Sequence, residues 1–173
     1  VRRQRQMCIR DSSYFVGFLM DGILLLEKQK ETDHYQIQSL PINSGVFCLK
    51  KDRFQDVVWI GTDGQGVYLY SNPLYSIKSM VLSNYTEKIE RPVRAIYLDD
   101  ERTFWVGTKG NGILKIYDYE FDKNISDCRA EVLTTSNSAL SSNAVYCFAK
   151  SHRNLLWIGA VSYTHLTLPT NSR

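Results

Sequence analysis

One short block recurs four times along this chain: an aromatic residue, a β-branched residue and a glycine. The copies are Phe15-Val16-Gly17, Trp59-Ile60-Gly61, Trp105-Val106-Gly107 and Trp157-Ile158-Gly159. In the first three a second glycine follows in constant register, at Gly22, Gly66 and Gly112, and an apolar run comes next: ILLL, VYLY and ILKI. Upstream of the later copies a second block repeats, as VFCLKKD from Val46, VRAIYLD from Val93 and VYCFAKS from Val145. Each run is strand-length and enters a polar turn.

Short strands separated by Gly, Asp and Asn turns, in units of about 40 to 50 residues, predict blades of a β-propeller rather than a helical solenoid. Helical repeats need stretches of about 10 to 15 residues with a 3.6-residue period, and none is evident. The expected fold is therefore all-β: a partial propeller of about three four-stranded antiparallel blades, with the ring not closed. In GTDGQG and GTKGNG the paired glycines permit positive φ around Gln65 and Asn111. The first copy has Met20 in place of the middle glycine, which predicts a distorted hairpin there. Phe15 and the three tryptophans share one register. A large ring recurring there is expected to fill the space between adjacent blades, with ligand stacking as the rival role.

The pattern V-x-A-I-x-x-D followed by F-W-V-G-T-x-G-x-G-I, with ALSSNAVYCFAKSHRNLLWIG further on, resembles the two-component regulator propeller repeat. The resemblance covers most of Ser13 to Gly159. Proteins with this repeat are mostly periplasmic sensor regions of hybrid two-component systems of Bacteroides-type bacteria, many of which respond to oligosaccharides. It implies paired, usually seven-bladed propellers followed by an immunoglobulin-like domain, a membrane helix, and kinase and receiver modules. None of those later modules is in this sequence.

Both ends have a second explanation. The bases CGT CGG CAG CGT CAG ATG TGT ATA AGA GAC, from a transposase adapter used in shotgun sequencing, translate to the residues from Arg2 to Asp11 and lead into Ser12. The reverse complement translates to Val-Ser-Tyr-Thr-His-Leu-Thr-Leu-Pro-Thr, which is Val161 to Thr170. The leftover bases are compatible with Val1, Ala160 and Asn171. Residues 1–12 and 160–173 are accordingly expected to be translated adapter, and residues 13–159 the native blades. The opening apolar stretch does not fit a secretory signal, because Gly17, Asp21 and Gly22 interrupt it and no small-residue cleavage site follows.

The charge argument changes with the ends. The formal net charge is +3, but Arg2, Arg3, Arg5, Arg10 and Arg173 against Asp11 lie in the two end segments. Without them the balance turns slightly negative, and the RRQR arm that would suggest nucleic-acid binding disappears. Cys8 goes with the adapter, leaving Cys48, Cys128 and Cys147 with no CxxC spacing for a metal or redox site. Cys48 and Cys147 share the register of Ala95, and small buried strand residues are expected there. His34 and His152 fall in polar segments, and His165 and Tyr163 are adapter-encoded. Asp52, Asp99, Asp100 and Glu101 sit at predicted turns that favour Asp.

No catalytic, metal or cofactor constellation emerges from these residues. The expected function is the periplasmic ligand-sensing propeller of a hybrid sensor histidine kinase, with a small oligosaccharide as ligand and a homodimer in the full-length parent. No nucleic-acid partner is expected, and the membrane enters only through missing parts of the parent. The alternatives are a streptogramin-lyase-like propeller enzyme and a purely structural interaction propeller. Ligand contacts in propellers come from loops of one rim or from channel-facing strands. Arg94 and Tyr97 are polar candidates there, and neither is assigned a role.

Overall fold

The protein is described by a computed structural model that places residues 13–29, 31–80, 91–124, 127–151 and 155–161, and residues 5–10 as backbone. His152, Tyr163, His165 and the segment 162–173 lie outside the described residues. The described strands are β1 (Arg5–Arg10), β2 (Ser13–Phe18), β3 (Ile23–Lys28), β4 (Tyr35–Ser39), β5 (Val46–Lys51), β6 (Val57–Thr62), β7 (Val67–Ser71) and β8 (Ser76–Met80). They continue with β9 (Val93–Leu98), β10 (Thr103–Thr108), β11 (Ile113–Tyr117), β12 (Ala130–Leu133), β13 (Val145–Lys150) and β14 (Leu156–Ala160). Three four-stranded antiparallel meanders form, β1 to β4, β5 to β8 and β9 to β12, and β13 with β14 makes a two-stranded sheet. Contacts between sheets run mainly through their first strands, β1 with β5, β5 with β9 and β9 with β13. First strands therefore cluster on a common axis and the sheets radiate from it, which is an open β-propeller of three blades and the inner half of a fourth.

The repeated blocks occupy equivalent places in every blade. The aromatic-aliphatic-Gly block lies in the second strand (β2, β6, β10, β14), and the valine block forms the first strand (β5, β9, β13). Opposite the repeat glycines Gly61, Gly107 and Gly159 stand Cys48, Ala95 and Cys147. The pairing then skips a residue before Val46, Val93 and Val145, so Phe47, Arg94 and Tyr146 each form a bulge outside the ladder. In the first blade Gly17 pairs with Gln6 and the register of β1 runs on without a bulge.

Two apolar clusters lie between blades. Phe15, Ile23 and Leu25 pack with Val58, Ile60 and Tyr70 of the second blade. Trp59, Leu69 and Met80 pack with Val93, Phe104, Val106, Ile116 and Tyr119 of the third. Trp59 is fully buried, stacked on Phe104 at 3.9 Å and edge-on to Tyr119 at 5.5 Å. Burying roughly 150–250 Å² of such a ring, at about 25 cal/mol per Å², supplies on the order of 4–6 kcal/mol before ordering costs. Phe15, also fully buried, meets Tyr70 edge-on at 5.3 Å. Trp105 is half-buried, and Trp157 is 65% exposed. The decline follows the number of strands covering each ring: a whole blade beyond Phe15 and Trp59, half a blade beyond Trp105, and no described strand beyond Trp157.

The repeat glycines are strand glycines for a packing reason. A Cβ on Gly61 would lie 2.4 Å from Cys48 Sγ and 2.7 Å from Val93 Cγ1, and one on Gly107 would lie 2.9 Å from Val145 Cγ1. The valine of each blade's first strand thus seats on the glycine of the blade before it. Cys48 is enclosed at this contact, and burial pushes its thiol up to about 12. Cys147, expected to be buried in the same register, is exposed, because no described blade covers the outer face of β13 and β14.

The first hairpin differs from the other two at Met20, which lacks the positive φ of 80° and 127° that Gly64 and Gly110 adopt at the matching position. The hairpin containing Met20 is closed by Phe18 N–H donating to the Gly22 carbonyl, as Thr62 donates to Gly66 and Thr108 to Gly112. Gly22, Gly66 and Gly112 all adopt φ of 72–75°. The last glycine therefore sets the reversal, and Met20 stands 87% exposed without a positive φ. What the first copy lacks is the second bond that Thr62 and Thr108 make through Oγ1 to the same carbonyl, because Phe18 has no hydroxyl.

Candidate binding site at the blade-connector rim

In each antiparallel blade the start of the first strand, the end of the second and the start of the third share one edge. That rim gathers the blade connectors (40–45, 91–92 and 134–144 among the described residues) with the turns at 63–66 and 109–112. The connectors hold the turns in place. Asp63 N–H donates to Gly45 O, Lys109 N–H to Pro92 O, and Gly110 and Gly112 N–H both to Asn143 O, at 2.9–3.0 Å. Asn143 Oδ1 in turn accepts from Thr135 N–H at 2.8 Å.

The three bulged residues meet on this rim. The Arg94 guanidinium lies 3.7 Å over the Phe47 ring and 5.6 Å from the Tyr146 ring. Successive blades thus contribute an aromatic, a cation and an aromatic from one register position. Phe47 and Arg94 are half-buried and Tyr146 is 37% exposed. Stacking satisfies the flat face of a guanidinium but none of its N–H groups, which lie in the plane. Arg94 Nε is buried and has no hydrogen-bond partner among the described residues. Arg91, whose side chain lies against Gly110, and Lys109 add exposed positive charge at the same rim.

Tyr97 is placed elsewhere. Its ring packs at 6.3 Å against Phe148 between the third and fourth blades. The bulge was the missed signal for the arginine stack: in VFC, VRA and VYC the middle residue is the variable one, but nothing in the letters shows that it leaves the ladder.

The opposite rim is built of aspartates. Asp52 is buried and accepts from Trp59 Nε1 at 3.0 Å through Oδ2, while Oδ1 accepts from Phe54 N–H and Gln55 N–H. Asp99 repeats this with Trp105 Nε1 at 3.0 Å and with Glu101 and Thr103 N–H. Both carboxylates are occupied as turn caps and indole acceptors. Ser151 replaces the aspartate in the fourth blade. On the same rim Asp100 joins three blades, paired with Arg53 at 2.9 Å and with Lys150, and Arg53 also donates to Leu98 O at 2.7 Å. Hydrogen bonds from Lys150 and then Arg53 hold the Asp100 carboxyl below its usual value of 3.8.

Two further polar features are structural. A groove of about 280 Å³ lies beside Gln55, Asp56, Leu74, Phe121 and Asp122. Gln55 bridges it by donating to Tyr119 O at 3.1 Å and accepting from Phe121 N–H at 2.7 Å, which ties the second blade to the third. On the outer strands Lys115 bonds Glu131 and Tyr117, both at 2.6 Å, above the Trp105 ring. Burial pushes the Lys115 ammonium down, but the bonds to Glu131 and Tyr117 outweigh it and the net shift is upward. Among the described residues no cluster of His, Cys, Asp and Glu is arranged to hold a metal ion, and no helix is long and apolar enough to cross a membrane.

Radiating meanders, an axial line of first strands and a rim of inter-blade side chains define a β-propeller segment. Solved structures share this fold. The chain superposes on the extracellular domain of BT4673 of B. thetaiotaomicron, assigned to a one-component system, with TM-score 0.65 and 20% identity over 89% of its length. The extracellular domain of BT3049 of the same organism, assigned to a hybrid two-component system, matches at TM-score 0.63 and 19% identity over 87%. PorZ, a surface component of the type-IX secretion system of Porphyromonas gingivalis, matches at TM-score 0.63 and 19% identity over 91%. The chain spans 20%, 18% and 25% of those chains respectively. No family model matches the sequence, and no curated protein does. The fold is thus shared with extracellular domains of B. thetaiotaomicron one- and two-component systems, as the sequence resemblance implied, and with PorZ.

Proposed function

We propose that this chain is a segment of the ligand-sensing propeller of a hybrid two-component sensor, lying outside the cytoplasmic membrane and responding to a small oligosaccharide. The observation that carries the reading is the superposition of nearly nine-tenths of the chain on the extracellular domains of BT4673 and BT3049. The rim supports it, because the aromatic faces of Phe47 and Tyr146 beside the exposed cations Arg91 and Lys109 suit a polar ligand with apolar faces. In this reading the parent is a homodimer, and ligand binding favours one arrangement of its paired domains over another, which biases the attached kinase.

The reading also takes residues 13–159 as the native blades and both ends as translated adapter. The unbulged register of β1, with Gln6 where other blades put Cys or Ala, supports this for the N-terminal segment. Extending the genomic sequence in both directions is the test. A membrane helix with kinase and receiver modules downstream, and a Thr-x-Gly-x-Gly continuation after Gly159, are the expected findings. The comparable match to PorZ favours one second reading, a propeller that acts by binding protein partners. A gene that ends after its propeller with no kinase would establish that reading instead.

A further inference from the structure

On the aspartate rim, the groove of about 280 Å³ between the second and third blades has an apolar wall of Val57, Pro73, Leu74 and Phe121. Asp56, Ser71 and Asp122 supply its polar lining. The Gln55 tie brings the two acids to one place, since Asp56 follows Gln55 and Asp122 follows the Phe121 whose N–H donates to it. Gln55 itself is fully used: Oε1 accepts from Phe121, and Nε2 donates to Tyr119 O and to Asp52.

Ser71 breaks the apolar pattern. It follows Val67 and Leu69 on the face of β7 that packs against the third blade, where strand alternation calls for another apolar side chain. Ser71 is 4% exposed, yet its hydroxyl makes no hydrogen bond with a described residue. Unlike Arg94 Nε, that oxygen is not sealed from solvent, and it lines the groove. Asp122 is exposed and makes no ion pair with a described residue. The cations beside it are committed elsewhere: Lys78 Nζ donates to Phe121 O and Lys123 O, and Lys123 pairs with Glu120. Asp56 Oδ1 accepts from Asn72 Nδ2 at 3.2 Å, so this carboxylate contributes charge rather than an open acceptor.

We propose that this groove binds a small primary ammonium ion carried on an aliphatic chain. Of the groups left open, the Asp122 carboxylate can only accept and Ser71 Oγ accepts readily, so the ligand brings the donors. With two carboxylates and no base in its lining, the groove favours a cation. An ammonium group has three donors and no acceptor, and a short carbon chain covers Leu74 and Phe121. A metal ion fits less well, because among the described residues no three His, Cys, Asp or Glu side chains are grouped to hold one. The volume lies just under the range of about 300–1,000 Å³ that drug-sized ligands fill, which restricts the occupant to a small molecule. Bonds from Gln55 and Lys78 fix both walls before the ligand arrives and so lower the ordering cost of binding. An amine bound here is independent of the sugar sensing proposed above, and each reading stands or fails by itself.

Leucine- and phenylalanine-selective ¹⁵N labelling of the 173-residue chain places backbone reporters at Leu74 and Phe121, with Leu74→Met and Phe121→Tyr identifying the resonances. n-Butylammonium, n-butanol and butyrate are titrated in turn near neutral pH. The expected result is a saturable shift of both amides with butylammonium, half-saturating in the millimolar range, about fivefold weaker binding of butanol, and no shift with butyrate. Asp122→Asn is expected to weaken butylammonium binding about fivefold and Ser71→Ala about threefold, while the butanol response and the urea midpoint stay unchanged. Amides unmoved by butylammonium overturn the proposal. Equal affinity for butanol and butylammonium, or butylammonium binding unaltered in Asp122→Asn, also overturns it, because the groove would then take the carbon chain without reading its charge.

Discussion

Removing the Asp52 carboxylate takes the acceptor from the Trp59 indole N–H and from the N–H groups of Phe54 and Gln55, while the Gln55 side-chain amide keeps its bond to Tyr119 O. Because the indole is fully buried, no water replaces the lost acceptor. Asp52→Ala is expected to destabilise the fold by about 3 kcal/mol, read as a lower urea midpoint at unchanged slope. Asp99→Ala should cost less, since Trp105 is only half-buried. Glycine is equally constrained at position 61. A Cβ there meets Cys48 and Val93, so Gly61→Ala should lose about 1–3 kcal/mol, and a double-mutant cycle with Val93→Ala should recover part of that loss. The sequence pointed to Asp52 as a turn residue and to Trp59 as an inter-blade ring. It did not show that the two are bonded, because they are joined through a turn whose geometry is set only when the strands pair.

The blade is the repeating element, and its first strand is where the copies disagree. β5, β9 and β13 start with a valine, a bulged residue and a small residue, whereas β1 pairs in plain register with Gln6 opposite Gly17. Grafting the β9 segment Val93–Leu98 in place of residues 4–9 puts an alanine opposite Gly17 and restores the bulge. The graft is expected to raise the melting temperature in differential scanning calorimetry, and an unchanged or lower value would mean that the present β1 segment is as fit for the axis as its counterparts. Turn chemistry was legible in part. The terminal glycines of the hairpins were read correctly as turn formers; at Met20 the first hairpin lacks the positive φ that Gly64 and Gly110 adopt in the other two, and the reversal is kept because it depends on Gly22.

At the scale of the whole molecule, blades are joined by side chains that no single repeat contains. Asp100 bonds Lys150 and Arg53 from its neighbours, and its carboxyl sits below the ordinary value of 3.8. A folded-state value below the unfolded one gives stability that is present above about pH 4 and is lost as pH falls through the lower, folded value. Acid titration of stability should therefore show a proton uptake below pH 4 that Asp100→Asn removes, while stability at pH 7 changes little for so exposed a pair. The open side of the fourth sheet is the other feature at this scale. Trp157 is 65% exposed and Leu155 55%, beside an exposed Cys147, on a face that the earlier blades bury. The 173-residue chain is expected to self-associate with rising concentration in sedimentation velocity, and Trp157→Ser should reduce the association without lowering the urea midpoint.

The valine-block strands, the aromatic-glycine strands and the apolar runs that follow them, with their inter-blade aromatic register, were legible in the sequence alone, because local alternation and turn residues repeat in fixed register and need no distant partner to be read. Arg94 was visible only as one polar letter in a strand. Its place was decided by the tertiary structure, since a one-residue bulge in three separate strands, far apart in the chain, brings Phe47, Arg94 and Tyr146 together on the rim.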